Sequence, residues 1–169
     1  DYYIKVLTTD QVYKPAMSRM AFCYIQINKK ERALEIYENL ALLEPKNSEF
    51  ILKVAELQRD LGNEDKTIEY YKIALNLKGD KNDLYFKLAS LYFERKEFLF
   101  AKDMYIKCIE TGEINFDIYK NIATCYEKNG DFERSLHFYN EALKLKDGDI
   151  DCLFGQASSY EGMGKLEEA

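Results

Sequence analysis

The sequence is poor in the residues that catalytic and metal centres most often use. It contains a single histidine, His137, and no two cysteines separated by two residues. A nucleophile–base pair or a histidine-containing metal site needs more than this. The few glycines are not gathered into a phosphate-binding loop. We therefore expect no catalytic residue, no metal and no cofactor in this chain.

Long apolar runs and an excess of basic charge are also missing. No apolar stretch approaches the roughly 20 residues that span a bilayer, and no signal peptide is visible. Lysine and arginine number 24 against 30 aspartates and glutamates, which gives a net charge of −6. A nucleic-acid groove needs a basic stripe that neutralises phosphates. The expected partners therefore include neither a nucleic acid nor a membrane.

Proline and cysteine are scarce as well. With only two prolines and no linker rich in proline, glycine or serine, the chain should form one continuous body. Its four cysteines fit no zinc motif, and no Asn-x-Ser/Thr acceptor occurs. These features favour reduced, buried or half-buried thiols in an intracellular, cytoplasmic protein. The cysteines are Cys23, Cys108, Cys125 and Cys152.

What the sequence does contain is a strict period. Alanine recurs every 34 residues, at Ala21, Ala55, Ala89, Ala123 and Ala157, without an insertion. An aromatic residue usually follows three residues later, a small residue twelve later and a tyrosine sixteen later. A fixed period of this length is typical of stacked helix–turn–helix units. A generic helical bundle is the alternative, but bundles do not hold a long period.

This pattern resembles the tetratricopeptide repeat family over essentially the whole chain. The departures are Gln58 in an aromatic position and the lack of a counterpart to Pro45 in the later repeats. The resemblance implies an all-α fold. It would be an α-solenoid, a right-handed superhelix of tandem 34-residue helix–turn–helix repeats with a concave side.

The period also sets the repeat boundaries. With each alanine at the eighth position, the repeats span 14–47, 48–81, 82–115 and 116–149, and a partial repeat spans 150–169. Residues 1–13 match the end of a preceding repeat. Neither end has the polar capping helix that solenoids normally need. We therefore expect a segment of a longer array rather than a complete protein.

Local signals within the repeats agree with this arrangement. Small residues at the eighth and twentieth positions let the two helices of a repeat approach closely. Gly62, Gly130 and Gly164 suit the left-handed conformation that ends a helix. Asn63 and Asp131, which follow two of these glycines, are suitable caps for the next helix.

The resemblance further implies a binding surface. In this family the first helix of each repeat lines the concave groove, with positions two, five, nine, twelve and thirteen pointing into it. Apolar side chains at these positions predict a partner-binding groove, and acids at position two predict an acidic rim that favours a ligand with Lys or Arg. The alternative is that the phenylalanines tuck against neighbours and are half-buried. The groove residues are Phe22, Ile25, Leu52, Phe86, Phe93 and Phe154, and the rim residues are Glu49, Asp83, Asp117 and Asp151.

One kind of ligand is not expected. Family members that clamp the C-terminal carboxylate of chaperones use Lys and Asn at positions five and nine of one repeat and Asn at position six of the next. Lys120 matches the first of these, but Thr124 and Gly155 do not match the others. We therefore predict no binding of chaperone C-terminal tails.

The leading functional hypothesis is a protein–protein interaction scaffold within a larger assembly. Its groove would hold a peptide or amphipathic helix of another protein, with apolar and basic residues. The alternative is a regulatory or substrate-recruiting arm of a multidomain enzyme whose catalytic domain lies outside this segment. A third hypothesis, an RNA-binding helical repeat, is disfavoured by the acidic charge.

Overall fold

The computed structural model describes residues 13–79 and 81–165. These residues form nine α-helices joined by short turns, with no strand among them. The chain divides into two compact units, unit 1 (residues 1–79) and unit 2 (residues 80–169). Most of the predicted segment 1–13, and Ala169 of the last repeat, lie outside the described residues.

Each unit is built from helices that pack on their neighbours along the chain. Unit 1 contains α1 (Tyr13–Gln26), α2 (Lys30–Leu43), α3 (Ser48–Asp60) and α4 (Glu64–Leu75). Unit 2 contains α5 (Asn82–Glu94), α6 (Phe98–Glu110), α7 (Phe116–Lys128), α8 (Phe132–Leu145) and α9 (Ile150–Gly162). Odd-numbered helices are the first helices of the predicted repeats, and even-numbered helices are the second. The predicted fold class, an all-α solenoid, is confirmed.

Small side chains lie inside the helix pairs. Ala21, Ala55, Ala89 and Ala123 are fully buried. Ser135 of α8 shows how closely the paired helices approach, because its hydroxyl donates to the carbonyl oxygen of Ala123 in α7 at 3.0 Å. Larger residues at these positions would force the helices apart.

Tyrosines of the second helices fill the space beside these small residues, and unit 1 adds a buried glutamine. Gln58 stands in an aromatic position and is 1% exposed. Its Nε2 donates to Glu38 Oε1 at 3.0 Å, and its Oε1 accepts from Asn63 Nδ2 at 2.8 Å. Because both the nitrogen and the oxygen of this amide are hydrogen-bonded, its burial leaves no unpaired polar group. The buried tyrosines are Tyr37, Tyr71, Tyr105 and Tyr139.

The turns after the first helices share one backbone conformation. Glycine adopts this left-handed conformation readily, whereas Lys96 adopts it against its steric preference. Of the two predicted caps, Asp131 accepts a hydrogen bond from the Arg134 backbone at 3.2 Å. The prediction is wrong for Asn63, whose side chain makes no cap hydrogen bond; its Nδ2 donates to Gln58 Oε1 at 2.8 Å. The φ angles lie between 56° and 77° at Asn28, Gly62, Lys96, Gly130 and Gly164.

Three of the four thiols are buried. Burial raises the pKa of Cys108 and of Cys125 to about 12, and Cys152 is buried as well. The prediction that all four are buried or half-buried is wrong for Cys23, which is exposed. Cys125, which shares the repeat position of Cys23, lies in α7, and α6 packs on this helix.

Candidate partner-binding surface

The predicted groove positions on the first helices are all at least partly exposed. At positions two, five, nine, twelve and thirteen of the five repeats, no side chain is buried. Phe22 and Phe154 expose 57% and 72% of their surface. We call positions two, five, six, nine, twelve and thirteen of α5, α7 and α9 the first-helix surface of unit 2. The half-buried apolar residues are Ile25, Leu52, Phe86 and Phe93, and the exposed acids are Glu49, Asp83, Asp117 and Asp151.

Phe86 and Phe93 of α5 belong to an aromatic cluster with α6. The ring of Phe86 meets Tyr105 edge-on with centroids 5.9 Å apart. The ring of Phe93 meets Phe98 at 5.6 Å and Tyr105 at 6.4 Å, again edge-on. Such edge-to-face contacts are favourable beyond the area that they bury. Each phenylalanine therefore packs on α6 with one edge and faces solvent with another.

The hydroxyl of Tyr105 sits between α5 and α7. Asn121 Nδ2 of α7 donates to this oxygen at 3.0 Å, and Ser90 Oγ of α5 lies 3.4 Å from it. Burial raises the pKa of Tyr105 above its ordinary value. The tyrosine therefore remains neutral at physiological pH and ties two first helices together by hydrogen bonds.

Tyr139 makes the equivalent contact one repeat later, between α7 and α9. Its hydroxyl donates to Glu127 Oε2 at 2.7 Å and lies 3.2 Å from Thr124 Oγ1. The other oxygen of Glu127 accepts from Ser158 Oγ of α9 at 3.2 Å. A Cβ atom on Gly155 would overlap the Tyr139 ring. Glycine at this position therefore allows the tyrosine to approach α9.

Sequence reasoning did not identify this hydrogen-bonded set. It treated the tyrosines as core residues and did not consider position six outside the chaperone clamp. The period did contain a signal, because the tyrosine at position twenty-four of a repeat contacts position six of the next repeat. Tyr105 contacts Asn121 in this way, and Tyr139 lies against Gly155.

Lysines pair with two of the predicted rim acids in unit 2. Lys87 Nζ lies 2.7 Å from Asp83 Oδ2 within α5. Lys120 Nζ lies 2.6 Å from Asp151 Oδ2 and so joins α7 to α9. The side chains of Asp83 and Asp151 remain 73% and 75% exposed. Exposed ion pairs contribute little to stability, so these acids can exchange their lysines for another cation at small cost.

The first-helix surface of unit 2 keeps an excess of negative charge. Six carboxylates face three lysines, which leaves a net charge of −3. Such a surface attracts cationic groups and slows the approach of anionic ones. The carboxylates are Asp83, Glu94, Asp117, Glu127, Asp151 and Glu161, and the lysines are Lys87, Lys120 and Lys128.

Unit 1 has an open groove beside α1 and α3. At one edge, Lys14 Nζ donates to Glu44 Oε1 at 2.6 Å, and Asn47 Nδ2 donates to Oε2 at 2.9 Å. The hydrogen bonds from Asn47 and Lys14 lower the pKa of Glu44. At the other edge stands the rim acid Glu49. The groove is lined by Lys14, Pro15, Ser18, Glu44, Glu49 and Phe50.

His137 is exposed, and its ring meets Phe138 edge-on at 5.1 Å. Within residues 13–79 and 81–165, no group of three or more His, Cys, Asp or Glu side chains could hold a metal ion. In the part of the chain that the structure describes, no helix has the length and apolar character needed to cross a membrane.

The helix pairs that pack in succession within each unit define a helical-repeat protein of the solenoid class. Tetratricopeptide repeat family models match residues 15–47 and 116–149. The chain belongs to the tetratricopeptide repeat family, as the sequence predicted.

Several solved structures share this fold. MamA is similar with a TM-score of 0.76 at 22% identity, over 92% of this chain and 85% of that chain. MamA from Desulfovibrio magneticus RS-1 has a TM-score of 0.73 at 12% identity, over 91% and 87% of the two chains. YrrB, described as a TPR protein with an unusual peptide-binding site, has a TM-score of 0.76 at 15% identity, over 90% and 78%. At these identities the likeness shows the fold.

Proposed function

We propose that this chain is a protein-interaction scaffold whose first-helix surface in unit 2 binds a peptide or helix of another protein. The observation that carries the proposal is Phe154, which is 72% exposed in α9 beside the exposed acid Asp151. An exposed aromatic ring next to a carboxylate suits a ligand with apolar and basic side chains. The peptide-binding site named for YrrB supports a peptide ligand for this fold.

The aromatic residues have different parts in the proposed complex. Phe154 is the apolar anchor that a ligand covers. Phe86 and Phe93 form a floor, because their contacts with Tyr105 already hold both rings. Side chains that are fixed before binding lose little conformational entropy when a ligand covers them.

The acids supply the charge preference. A lysine or arginine of the ligand would take the place of Lys120 at Asp151, or of Lys87 at Asp83. Asp117 extends the same acidic edge between these two. Because the groups are exposed, binding should weaken as salt increases.

Unit 1 offers a smaller surface of the same chemistry. Phe22 is 57% exposed in α1, and Ile25 and Leu52 present half-buried apolar surface. Glu49 supplies the acid. We propose that this surface also contacts protein, as expected for a scaffold within a larger assembly.

Site-specific crosslinking tests the proposal in unit 2. A photoreactive residue is placed at Phe154, or at the exposed Lys144 of α8 as a control, and the crosslinked peptides are identified in native extract. We expect capture at position 154 of a segment rich in apolar and basic residues. The same adduct should be lost in competition with unlabelled parent protein but not with an Asp151→Asn/Phe154→Ser variant. Serine is a tolerated choice because Ser18 holds the same repeat position.

Two results would contradict the proposal. One is capture of the same partner at position 144 but not at 154. The other is equal competition by the parent and the double variant when both melt at the same temperature. Phe86→Glu and Phe93→Glu are less suitable variants, because each change would also disrupt the cluster around Tyr105.

A further inference from the structure

The first helices of unit 2 contact one another with a constant offset. Lys120, at position five of α7, pairs with Asp151, at position two of α9, at 2.6 Å. Ser158, at position nine of α9, donates to Glu127, at position twelve of α7, at 3.2 Å. Each contact therefore joins a position of one first helix to the position three lower in the next first helix.

The same offset relates α5 to α7. The Tyr105 hydroxyl lies 3.4 Å from Ser90 Oγ, at position nine of α5, and accepts from Asn121 Nδ2, at position six of α7, at 3.0 Å. One helical turn earlier, at positions five and two, α5 carries Phe86 and α7 carries Asp117. Side chains four residues apart lie on the same side of a helix. Phe86 and Asp117 therefore face each other, as the lysine and the aspartate do one repeat later.

Asp117 differs from Asp151 in what the preceding repeat offers it. Position five supplies a lysine to Asp151 but the half-buried ring of Phe86 to Asp117. Asp117 is exposed and lies in the first turn of α7, where the helix dipole favours its ionised form. Among residues 13–79 and 81–165, no lysine or arginine forms an ion pair with Asp117.

The lysines on α5 and α7 and in the turn before α9 are held by other carboxylates. The pairs are Lys87–Asp83 at 2.7 Å, Lys120–Asp151 at 2.6 Å, Lys128–Glu127 at 3.0 Å and Lys146–Asp149 at 2.8 Å. The pKa of Lys146 is raised first by its hydrogen bond to Asp149, and the charge of Asp117 contributes least. Asp117 is therefore open to a cation from another molecule.

We propose that Phe86 and Asp117 form a subsite for one arginine side chain of the bound peptide. The guanidinium plane lies against the exposed part of the Phe86 ring, and its edge donates to the Asp117 carboxylate. Arginine suits both contacts, because its planar cation stacks on aromatic rings and presents paired donors. This inference rests on the function proposed above, since it names the residue that the first-helix surface of unit 2 selects.

Other cations fit these residues less well. The lysine ammonium is compact and strongly hydrated, and it presents no plane to the ring. A methylated lysine is bound in a cage of aromatic rings, whereas Phe86 and Phe93 stand about 10.5 Å apart along α5. A calcium or magnesium ion takes at least six oxygen ligands, and in the described part of the chain no cluster of acidic side chains meets this need.

An NMR titration of the isotope-labelled chain tests the subsite with three defined peptides. The first is acetyl-leucyl-arginyl-leucine amide, and the others carry lysine or citrulline in place of arginine. Citrulline keeps the planar shape of arginine but has no charge, so it separates the charge from the shape. All three peptides have the same apolar residues, which cancel when their affinities are compared.

Two variants and a matched control accompany the peptides. Asp117→Asn removes the charge of the carboxylate. Phe86→Leu removes the ring, and leucine is a suitable replacement because Leu52 holds the same repeat position. Asp83→Asn is the control, since Asp83 is an exposed acid at position two of the neighbouring helix α5. It lowers the charge of the surface by the same amount.

We expect the arginine peptide to shift the backbone signals of the first turn of α7. It should bind about threefold more tightly than the lysine peptide and about tenfold more tightly than the citrulline peptide. Asp117→Asn should remove most of the preference for arginine over citrulline, and Phe86→Leu should remove the preference for arginine over lysine. Asp83→Asn should leave both ratios unchanged. These ratios do not follow a general loss of stability, which weakens all three peptides alike.

Four results would overturn the subsite. The parent binds none of the peptides, or it binds all three equally. Asp117→Asn keeps both ratios of the parent. Asp83→Asn changes the ratios as much as Asp117→Asn does, which would indicate attraction by the whole acidic surface. Each of these results leaves partner capture at position 154 unaffected, so failure of the subsite is distinguishable from failure of the proposed function.

Discussion

Replacing Gly155 with alanine should destabilise unit 2, although glycine-to-alanine changes in helices usually stabilise. Gly155 lies buried in the interior of α9, and a Cβ atom there would overlap the ring of Tyr139. The ring cannot withdraw freely, because Tyr139 is 3% exposed and its hydroxyl donates to Glu127 at 2.7 Å. Either the hydrogen bond or the packing of α9 on α8 must give way.

The gain in helix propensity and the cost of overpacking together decide whether the alanine raises or lowers the free energy of unfolding. Alanine in place of glycine gains about 1 kcal/mol of helix propensity. Overpacking a close contact costs about 1–3 kcal/mol, and the fixed ring places this site in the upper part of that range. The expected net loss is about 1–2 kcal/mol. In thermal unfolding, each kcal/mol corresponds to a shift of about 2–4 °C for a chain of this size.

Urea unfolding followed by far-ultraviolet circular dichroism measures the change. We expect a lower midpoint with an unchanged slope, since the surface exposed on unfolding is the same. Glu161→Ala, an exposed change in the same helix, is the control and should stay within about 0.5 kcal/mol of the parent.

A double-mutant cycle shows whether the Tyr139 ring is the cause. In a Tyr139→Leu background the overlap is relieved, so Gly155→Ala should stabilise by about 1 kcal/mol. The reasoning is refuted if Gly155→Ala stabilises the parent. It is equally refuted if the alanine costs the same with and without the ring.

Three further predictions concern the turns, the buried hydroxyls and the thiols. Lys96→Gly should raise the free energy of unfolding by about 1 kcal/mol and Gly130→Lys should lower it similarly, as read from urea midpoints; equal midpoints would contradict this. The pKa of Tyr139 is raised in the folded state. Its contribution to the free energy of unfolding is therefore complete below the unfolded pKa of about 10 and is lost as the pH rises above that value. Tyr139→Phe should therefore lose stability less steeply between about pH 10 and 12, and an unchanged slope would count against it. Cys23 alone should react rapidly with an aromatic disulfide in the native protein, because the other three thiols are buried; a second fast thiol would contradict the burial.

The repeat architecture could be predicted because its signals are local and periodic. Alanine at the eighth position and glycine at Gly62, Gly130 and Gly164 act within one helix pair or one turn. Their effects recur with the period, so each repeat supports the assignment of the others. The family pattern also predicts that the groove positions are solvent-accessible, and none of their side chains is buried in the structure.

Details that depend on a second helix were harder to predict. Asparagine often caps helices, yet the side-chain amide of Asn63 donates to Gln58, a partner that proximity in sequence alone does not predict. Cys23 matches Cys125 in position but differs in burial, and Cys125 lies in α7, which packs on α6. Phe86 and Phe93 were predicted to line the groove, but they are half-buried because their rings contact Tyr105.

The sequence by itself determined the fold class and the family, since period and residue size suffice for these. Only the tertiary structure decided that Phe154 is largely exposed while Phe93 packs on α6, that Lys120 pairs with Asp151, and that Gly155 admits Tyr139. The physical reason is that exposure and pairing depend on atoms from other helices. Those atoms are distant along the chain and are brought together only when the repeats stack.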